Sequence, residues 1–240
     1  MKEIKDQVAL VTGGSKGIGY GVAEALVGLG ADVVITSRHR DEVEAAAKTL
    51  TDAGPGRALG LECDVRDLAA QEAVVERAVE AFGGLDCVVA NAGVGHFGGI
   101  AELTSEQWQQ TIDVNLTGVF NTVKASLAAL KRAEGFLVTI ASLAGTNFFA
   151  GGAAYNASKF GLVGFTQAVM LDVREAGVRV STIMPGSVAT HFNGNEPDAG
   201  DAWKIQPEDV GRLVVDLLRM PARTLPSKVE VRPARTKPKA

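Results

Sequence analysis

Short apolar runs recur along the chain, separated by longer stretches whose apolar positions repeat with helical spacing. Val8-Ala9-Leu10-Val11, Val33-Val34-Ile35-Thr36, Ala58-Leu59-Gly60-Leu61 and Cys87-Val88-Val89-Ala90 read as strands. So do Phe136-Leu137-Val138-Thr139-Ile140, Val178-Arg179-Val180-Ser181-Thr182-Ile183 and Lys228-Val229-Glu230-Val231. Most of these runs do not alternate apolar with polar residues, as expected of strands covered on both faces. Helical patterns fall at 17–28, 41–50, 68–82, 116–130, 153–175 and 207–218, with Asp41 placed near a helix start. Strand–helix alternation implies right-handed crossovers, hence an α/β fold built on one doubly wound parallel sheet of seven strands with helices on both faces. No repeat or linker interrupts residues 1–240, which read as a single domain. The polar, glycine-bearing stretch 194–206 reads as a lid, and the basic, proline-bearing stretch 232–240 as a frayed tail.

Composition narrows the partners. A chain of 240 residues that is 46% hydrophobic can bury a large core. Its net charge of −4 argues against a nucleic-acid surface. No apolar run is long enough to span a membrane, and Met1-Lys2-Glu3-Ile4-Lys5-Asp6 lacks the apolar core of a signal peptide. The expected setting is reducing and cytoplasmic. Cys63 and Cys87 sit in apolar runs and read as small buried hydrophobes, with a disulfide or metal pair as the alternative. Two helical stretches, 116–130 and 160–171, are apolar nearly all round. Such helices need cover on a second side, so a homo-oligomer packed through them is expected.

The first strand runs into Thr12-Gly13-Gly14-Ser15-Lys16-Gly17-Ile18-Gly19. Glycine serves where backbone turns tightly and approaches a pyrophosphate, and the following helix N-terminus favours its charge. The spacing Gly13-x-x-x-Gly17-x-Gly19 differs from the common G-x-G-x-x-G, so the loop alone also fits a structural turn. Ligands of such sheets bind beyond the strand carboxyl ends, where Asn91-Ala92-Gly93 and Ser142 also fall. The second strand leads into Ser37-Arg38-His39-Arg40, with no acid before Asp41. An acid there would bind ribose hydroxyls, whereas Arg38, with Lys16 opposite, suits a 2′-phosphate; this favours NADP(H) over NAD. Two solvated surface cations are the alternative. Asp64-Val65 would lie near the adenine, with a helix-start role for Asp64 equally open.

Tyr155 and Lys159 stand at i and i+4 and share one helix face. A phenol beside a fixed cation can exchange a proton near neutral pH. A shift of about three units requires roughly 4 kcal/mol, which one unit charge about 4 Å away supplies at an effective dielectric near 20. With the dinucleotide cradle, the pair reads as a carbonyl reductase or alcohol dehydrogenase site. His96 and His191 flank it without metal-ligand spacing and are assigned no catalytic role; no metal is expected.

The glycine loop, Asn91-Ala92-Gly93, Asn115, Ser142, Tyr155-x-x-x-Lys159 and Pro185-Gly186 resemble the short-chain dehydrogenase/reductase family in order and spacing, over roughly residues 5–190. The resemblance implies a Rossmann fold and hydride transfer between a nicotinamide and a carbonyl carbon. It casts Tyr155 as general acid and base, Ser142 as holding the substrate oxygen, and Lys159 as bonding the nicotinamide ribose. Asn115 would hold a helix irregularity and a water behind Lys159. Asn91 and Gly93 would line the cofactor, and Val188 with Thr190 would cap its carboxamide. The final strand departs from the familiar ending of acyl-carrier-protein reductases and looks more like that of subgroups acting on hydroxy acids or other ketones.

Substrate choice is expected from 94–99, from Asn147-Phe148-Phe149-Ala150, and from the lid. Phe148 and Phe149 read either as an apolar wall or as packing against a helix. Three functions stay open: reduction of a 3-oxoacyl thioester, reduction of another carbonyl, and non-catalytic sensing of NADP(H).

Overall fold

The computed structural model describes residues 2–236. Seven strands form one sheet: β1 (Val8–Thr12), β2 (Asp32–Ser37), β3 (Ala58–Glu62), β4 (Cys87–Ala90), β5 (Phe136–Ile140), β6 (Arg179–Pro185) and β7 (Lys228–Val231). All neighbours are parallel and the order is β3-β2-β1-β4-β5-β6-β7. The chain winds outward from β1 to β3, then returns to β4 on the other side of β1. The crevice at that reversal is where ligands of such sheets bind.

The helices are α1 (Gly17–Val27), α2 (Arg40–Ala53), α3 (Leu68–Phe82), α4 (Ser105–Ile112), α5 (Gly118–Ala133), α6 (Ala153–Val173) and α7 (Pro207–Arg219). Ala9, Val11, Val33 and Ile35 face one layer with Leu26, Leu50 and Val214, while Val8, Leu10, Val34 and Val88 face the other with Val75, Leu130 and Leu162. Both sets are buried, which is why the strands read as unbroken apolar runs.

Some boundaries differ from the expectation. Asp41 lies inside the first turn of α2, whose N-cap position is His39 with no side-chain capping bond. α6 stops at Val173 and passes into a 3-10 turn, Arg174–Ala176, before Gly177 takes φ 75°. α4 has no counterpart in the sequence reading. It is fixed by a capping box: the Thr104 hydroxyl accepts from Gln107 N at 3.2 Å, and Gln107 Oε1 accepts from Thr104 N at 3.1 Å. α4 runs into α5 through a π-helical turn, Asp113–Thr117, so the stretch read as one helix from 116 begins inside that turn. Asn115 sits within it, fully buried.

The stretch 194–206, expected to form a lid, is anchored at its C-terminal end. Ile205 is buried and bridges Val188, Lys204 pairs with Asp201 at 2.7 Å, and Gln206 caps α7. Of the expected tail, 237–240 lie outside the described residues. Among the described residues no helix is long and apolar enough to cross a membrane.

Candidate active site

The glycine loop is stitched to the loop after β4. The Thr12 hydroxyl accepts from the N–H groups of Asn91 (3.0 Å) and Ala92 (3.2 Å). In return Asn91 Nδ2 donates to the carbonyls of Thr12 (2.9 Å) and Gly13 (3.1 Å). Gly13 takes φ +66°, and a Cβ there would lie 3.0 Å from Ala92 Cα. A Cβ on Gly19 would lie 2.3 Å from the Gly13 carbonyl oxygen, so Gly19 packs beneath the loop. The start of α1 has no side-chain cap and no acid in its first turn. Its first N–H groups are left for an anion.

A cleft of about 780 Å³ opens along the strand ends. It is lined by Gly13, Ser15, Lys16, Gly17 and Ile18 at its floor, and by Ser37, Arg38, Asp64 and Val65 at one end. Asn91, Ala92, Gly93, Ser142, Tyr155, Lys159, Pro185, Gly186, Val188 and Thr190 line the rest. Gly19 and Asn115 are the expected residues that do not reach it.

Charge at the Arg38 end is largely paired. Lys16 Nζ lies 3.9 Å from Glu42, and Arg40 Nε 3.1 Å from Glu62. Asp64 accepts from Arg66 N and Nε at 3.0 Å, and that guanidinium holds its carboxyl below the usual range. The helix-start role falls to Asp67, whose carboxylate caps α3. Among the described residues Arg38 enters no ion pair.

At the other end, Ser142 follows β5 and its hydroxyl accepts from Ala144 N at 3.1 Å. Tyr155 and Lys159 lie one turn apart on α6. Lys159 is 4% exposed and donates to the Ile140 carbonyl at 3.0 Å. Burial lowers its pKa to about 8. Its ammonium stands 5.7 Å from the centre of the Tyr155 ring. The Tyr155 phenol is raised above its usual range by burial, and the Ser142 hydroxyl acts in the opposite direction. The expected lowering of the phenol by Lys159, assisted by the oxidised nicotinamide's charge, is a property of the cofactor-bound site; in the protein alone burial dominates. The ammonium is directed at Ile140, while the Phe97 and Phe192 rings enclose the phenol at 5.3 Å and 5.7 Å.

Asn115 works from behind the cleft. Its Oδ1 accepts from Val94 N at 2.8 Å, and its Nδ2 donates to Val94 O (2.9 Å) and Ser158 Oγ (3.0 Å). It thereby ties the loop after β4 to the turn of α6 between Tyr155 and Lys159.

Several lining residues carried no assignment in the sequence: Phe192, Glu42, His39 and Lys204 all face the cleft. His96 lines it too, bonded to Gln110 Oε1 at 2.8 Å. Phe149 stacks against Phe97 at 6.0 Å, whereas Phe148 is 87% exposed and forms no wall. Cys63 and Cys87 are free thiols that burial pushes up to about 11 and about 12, which keeps them unreactive.

A doubly wound sheet with a glycine loop and a Ser–Tyr–Lys cluster at its crevice defines an oxidoreductase of the nucleotide-binding α/β class. The short chain dehydrogenase family profile matches residues 7–200, and the chain belongs to the short-chain dehydrogenase/reductase family. Trans-4-hydroxycyclohexanecarboxylate dehydrogenase of Sinomonas cyclohexanicum is 38% identical, over 78% of this chain and 74% of its own. The 3-oxoacyl-acyl-carrier-protein reductase FabG of Vibrio cholerae is 36% identical, over 88% and 85%. Glycine betaine reductase ATRR of Emericella nidulans is 34% identical over 96% of this chain, which spans only 19% of that much longer protein. Among solved structures, a metagenomic short-chain oxidoreductase in complex with NADP superposes with a TM-score of 0.85 at 35% identity, over 98% of this chain and 100% of the other. A 3-ketoacyl-acyl-carrier-protein reductase from Brucella melitensis complexed with NADH gives 0.87 at 26% identity, over 97% and 99%.

Proposed function

We propose that this protein interconverts a carbonyl and a secondary alcohol using NADP(H), with Tyr155 as general acid and base. The carrying observation is the convergence of Ser142, Tyr155 and Lys159 on the cleft that the glycine loop opens. The residues present fit a dinucleotide: Gly13 and Gly19 leave no room for a Cβ, and the uncapped start of α1 offers N–H groups to a pyrophosphate. Ser37, Arg38 and Lys16 would hold the 2′-phosphate end, Asp64 and Val65 the adenine, and Lys159, Asn91, Gly93, Val188 and Thr190 the nicotinamide end. The bound nicotinamide supplies or accepts the hydride.

The chain's own groups handle the oxygen and its proton. Ser142 donates to the carbonyl oxygen and steadies the charge that grows there. Tyr155, held protonated by burial, is poised to give its proton to that oxygen in reduction. Lys159 carries positive charge behind the phenol and favours its ionised form once the proton has left. Asn115 keeps the Val94 backbone and Ser158 in register with this pair.

The NADP-bound relative supports the cofactor preference, as does the unpaired Arg38. Thioester reduction is a second reading, supported by the Vibrio and Brucella proteins. The exposed Phe120 on α5 and Phe160 and Leu171 on α6 support a homo-oligomer through these helices, and the unpaired buried thiols fit a reducing cytoplasm. Only monomer in the ultracentrifuge at micromolar concentration would remove the oligomer.

The test is NADPH oxidation against small keto acids, cyclic ketones, aldehydes and acetoacetyl-CoA. Tyr155→Phe should lose about 10²–10⁴-fold in turnover while still binding NADPH. Activity of Tyr155→Phe within tenfold of wild type would remove Tyr155 from its role. Silence across the panel with NADPH bound would favour the sensor.

A further inference from the structure

Three aromatic rings meet at the proton-bearing end of the cleft. Phe97 meets Tyr155 edge-on at 5.3 Å, Phe192 meets Tyr155 at 5.7 Å, and Phe97 and Phe192 lie 6.3 Å apart. Phe149 backs Phe97 at 6.0 Å. These rings come from separate segments: the loop after β4, the lid side after β6, and the approach to α6. Two glycines give them room. A Cβ on Gly95 would lie 2.7 Å from the Phe192 ring and 2.8 Å from Phe97, and one on Gly152 would lie 2.7 Å from Phe149.

The cluster is not a sealed piece of core. Phe97 is 43% exposed and Phe149 49% exposed, so apolar ring surface stands open beside the phenol. Phe192 lines the cleft and Phe97 packs on the Tyr155 ring beside it, so a carbonyl held between Ser142 and Tyr155 has these rings as its nearest apolar surface. The cations nearby are engaged: Lys159 donates to Ile140, and Lys204 on the lid pairs with Asp201 at 2.7 Å. Among the described residues lining this end, an anionic arm meets no unpaired lysine or arginine. Ring faces and edges, by contrast, are what an aromatic group packs on.

Resting on the reductase reading above, we infer that the substrate is a carbonyl compound bearing an aromatic ring, seated on Phe97 and Phe192. Ring stacking there selects it over open-chain ketones and over thioesters with a charged carrier arm.

Acetophenone and 2-butanone are titrated calorimetrically into the protein with and without NADP+, and both are assayed as substrates beside acetoacetyl-CoA. Wild type should bind and turn over acetophenone about tenfold better than 2-butanone. Phe97→Leu and Phe192→Leu, which keep apolar bulk but lose the ring, should erase that preference and leave the NADP+ affinity unchanged. Phe148→Leu, on the exposed neighbour, should change nothing. Equal binding of the two ketones by wild type, or full acetophenone affinity in both leucine variants, overturns the inference, as does preferred turnover of acetoacetyl-CoA. Ring-dependent binding without turnover of any carbonyl would fell the reductase reading and leave ring recognition standing. Turnover without ring preference would do the reverse.

Discussion

The Lys159 ammonium donates a 3.0 Å hydrogen bond to the carbonyl of Ile140, the last residue of β5. One bond therefore pins the middle of α6 to the strand end that precedes Ser142. It also holds a cation almost fully buried at the cleft wall, and burial alone lowers the Lys159 pKa from 10.5 to about 8.

That displacement sets a pH-dependent stability. Below about pH 8 the lysine is charged in both folded and unfolded chains, and the folded state bears the full cost of burying it. As pH rises from 8 towards 10.5 the folded chain sheds the proton first, so the cost disappears. Lys159→Met should accordingly be the more stable protein at pH 7, by up to about 3 kcal/mol, with the gap closing by pH 10. Urea midpoints at the two pH values measure it; a gap independent of pH would contradict the assignment.

Thr12 is the acceptor for two backbone donors, and valine cannot replace that oxygen. Thr12→Val should cost about 1–2 kcal/mol of stability, from two part-buried N–H groups left without their hydroxyl acceptor. Because those groups hold the two loops together, NADPH affinity should fall by roughly tenfold as well. Thermal melts and fluorescence titration of NADPH report the two effects separately.

Arg38 and Glu42 should act in opposite directions on the cofactor. Arg38→Ala removes a free guanidinium and should weaken 2′,5′-ADP binding by about tenfold or more, leaving 5′-AMP unaffected. Glu42→Gln releases Lys16 from its 3.9 Å partner and should tighten 2′,5′-ADP binding a few-fold. Replacing Ser37 with Asp together with Arg38→Ala should turn the preference towards NADH. Selectivity unchanged in that double variant would refute the 2′-phosphate role.

Asn115→Leu strands the N–H and C=O of Val94 and leaves the Ser158 hydroxyl only its bond to the Tyr155 carbonyl. A loss of about 2–5 kcal/mol is expected, since three polar groups lose one shared partner in a buried place. Denaturation of the purified variant tests this. A loss below 1 kcal/mol would mean that water replaces the amide.

The central strands β1, β2, β4, β5 and β6 were legible because both faces of each are buried, as in Val33 to Ile35 and Cys87 to Ala90. The glycine loop and the Tyr155–Lys159 pair were legible because local spacing carries them. α4 was not, being short and polar, although Thr104 and Gln107 hold the spacing of a capping box. The environment of Tyr155 was hidden for another reason. Phe97 and Phe192 are distant in sequence and meet only where the sheet reverses. The direction of the Lys159 ammonium was set by a main-chain oxygen that side-chain pattern does not display.

The central place of β1 has a consequence for synthesis. β1 leaves the ribosome before β4, so one of its edges waits for that strand, and its terminal Thr12 waits for Asn91, 79 residues further along. A nascent chain that stops short of β4 holds every glycine of the loop and its Gly14 bond to Thr36, but none of the bonds to Asn91 and Ala92. If the loop holds the proposed nucleotide, a chain that grips it has already paired β1 with β4 and closed the middle of its sheet.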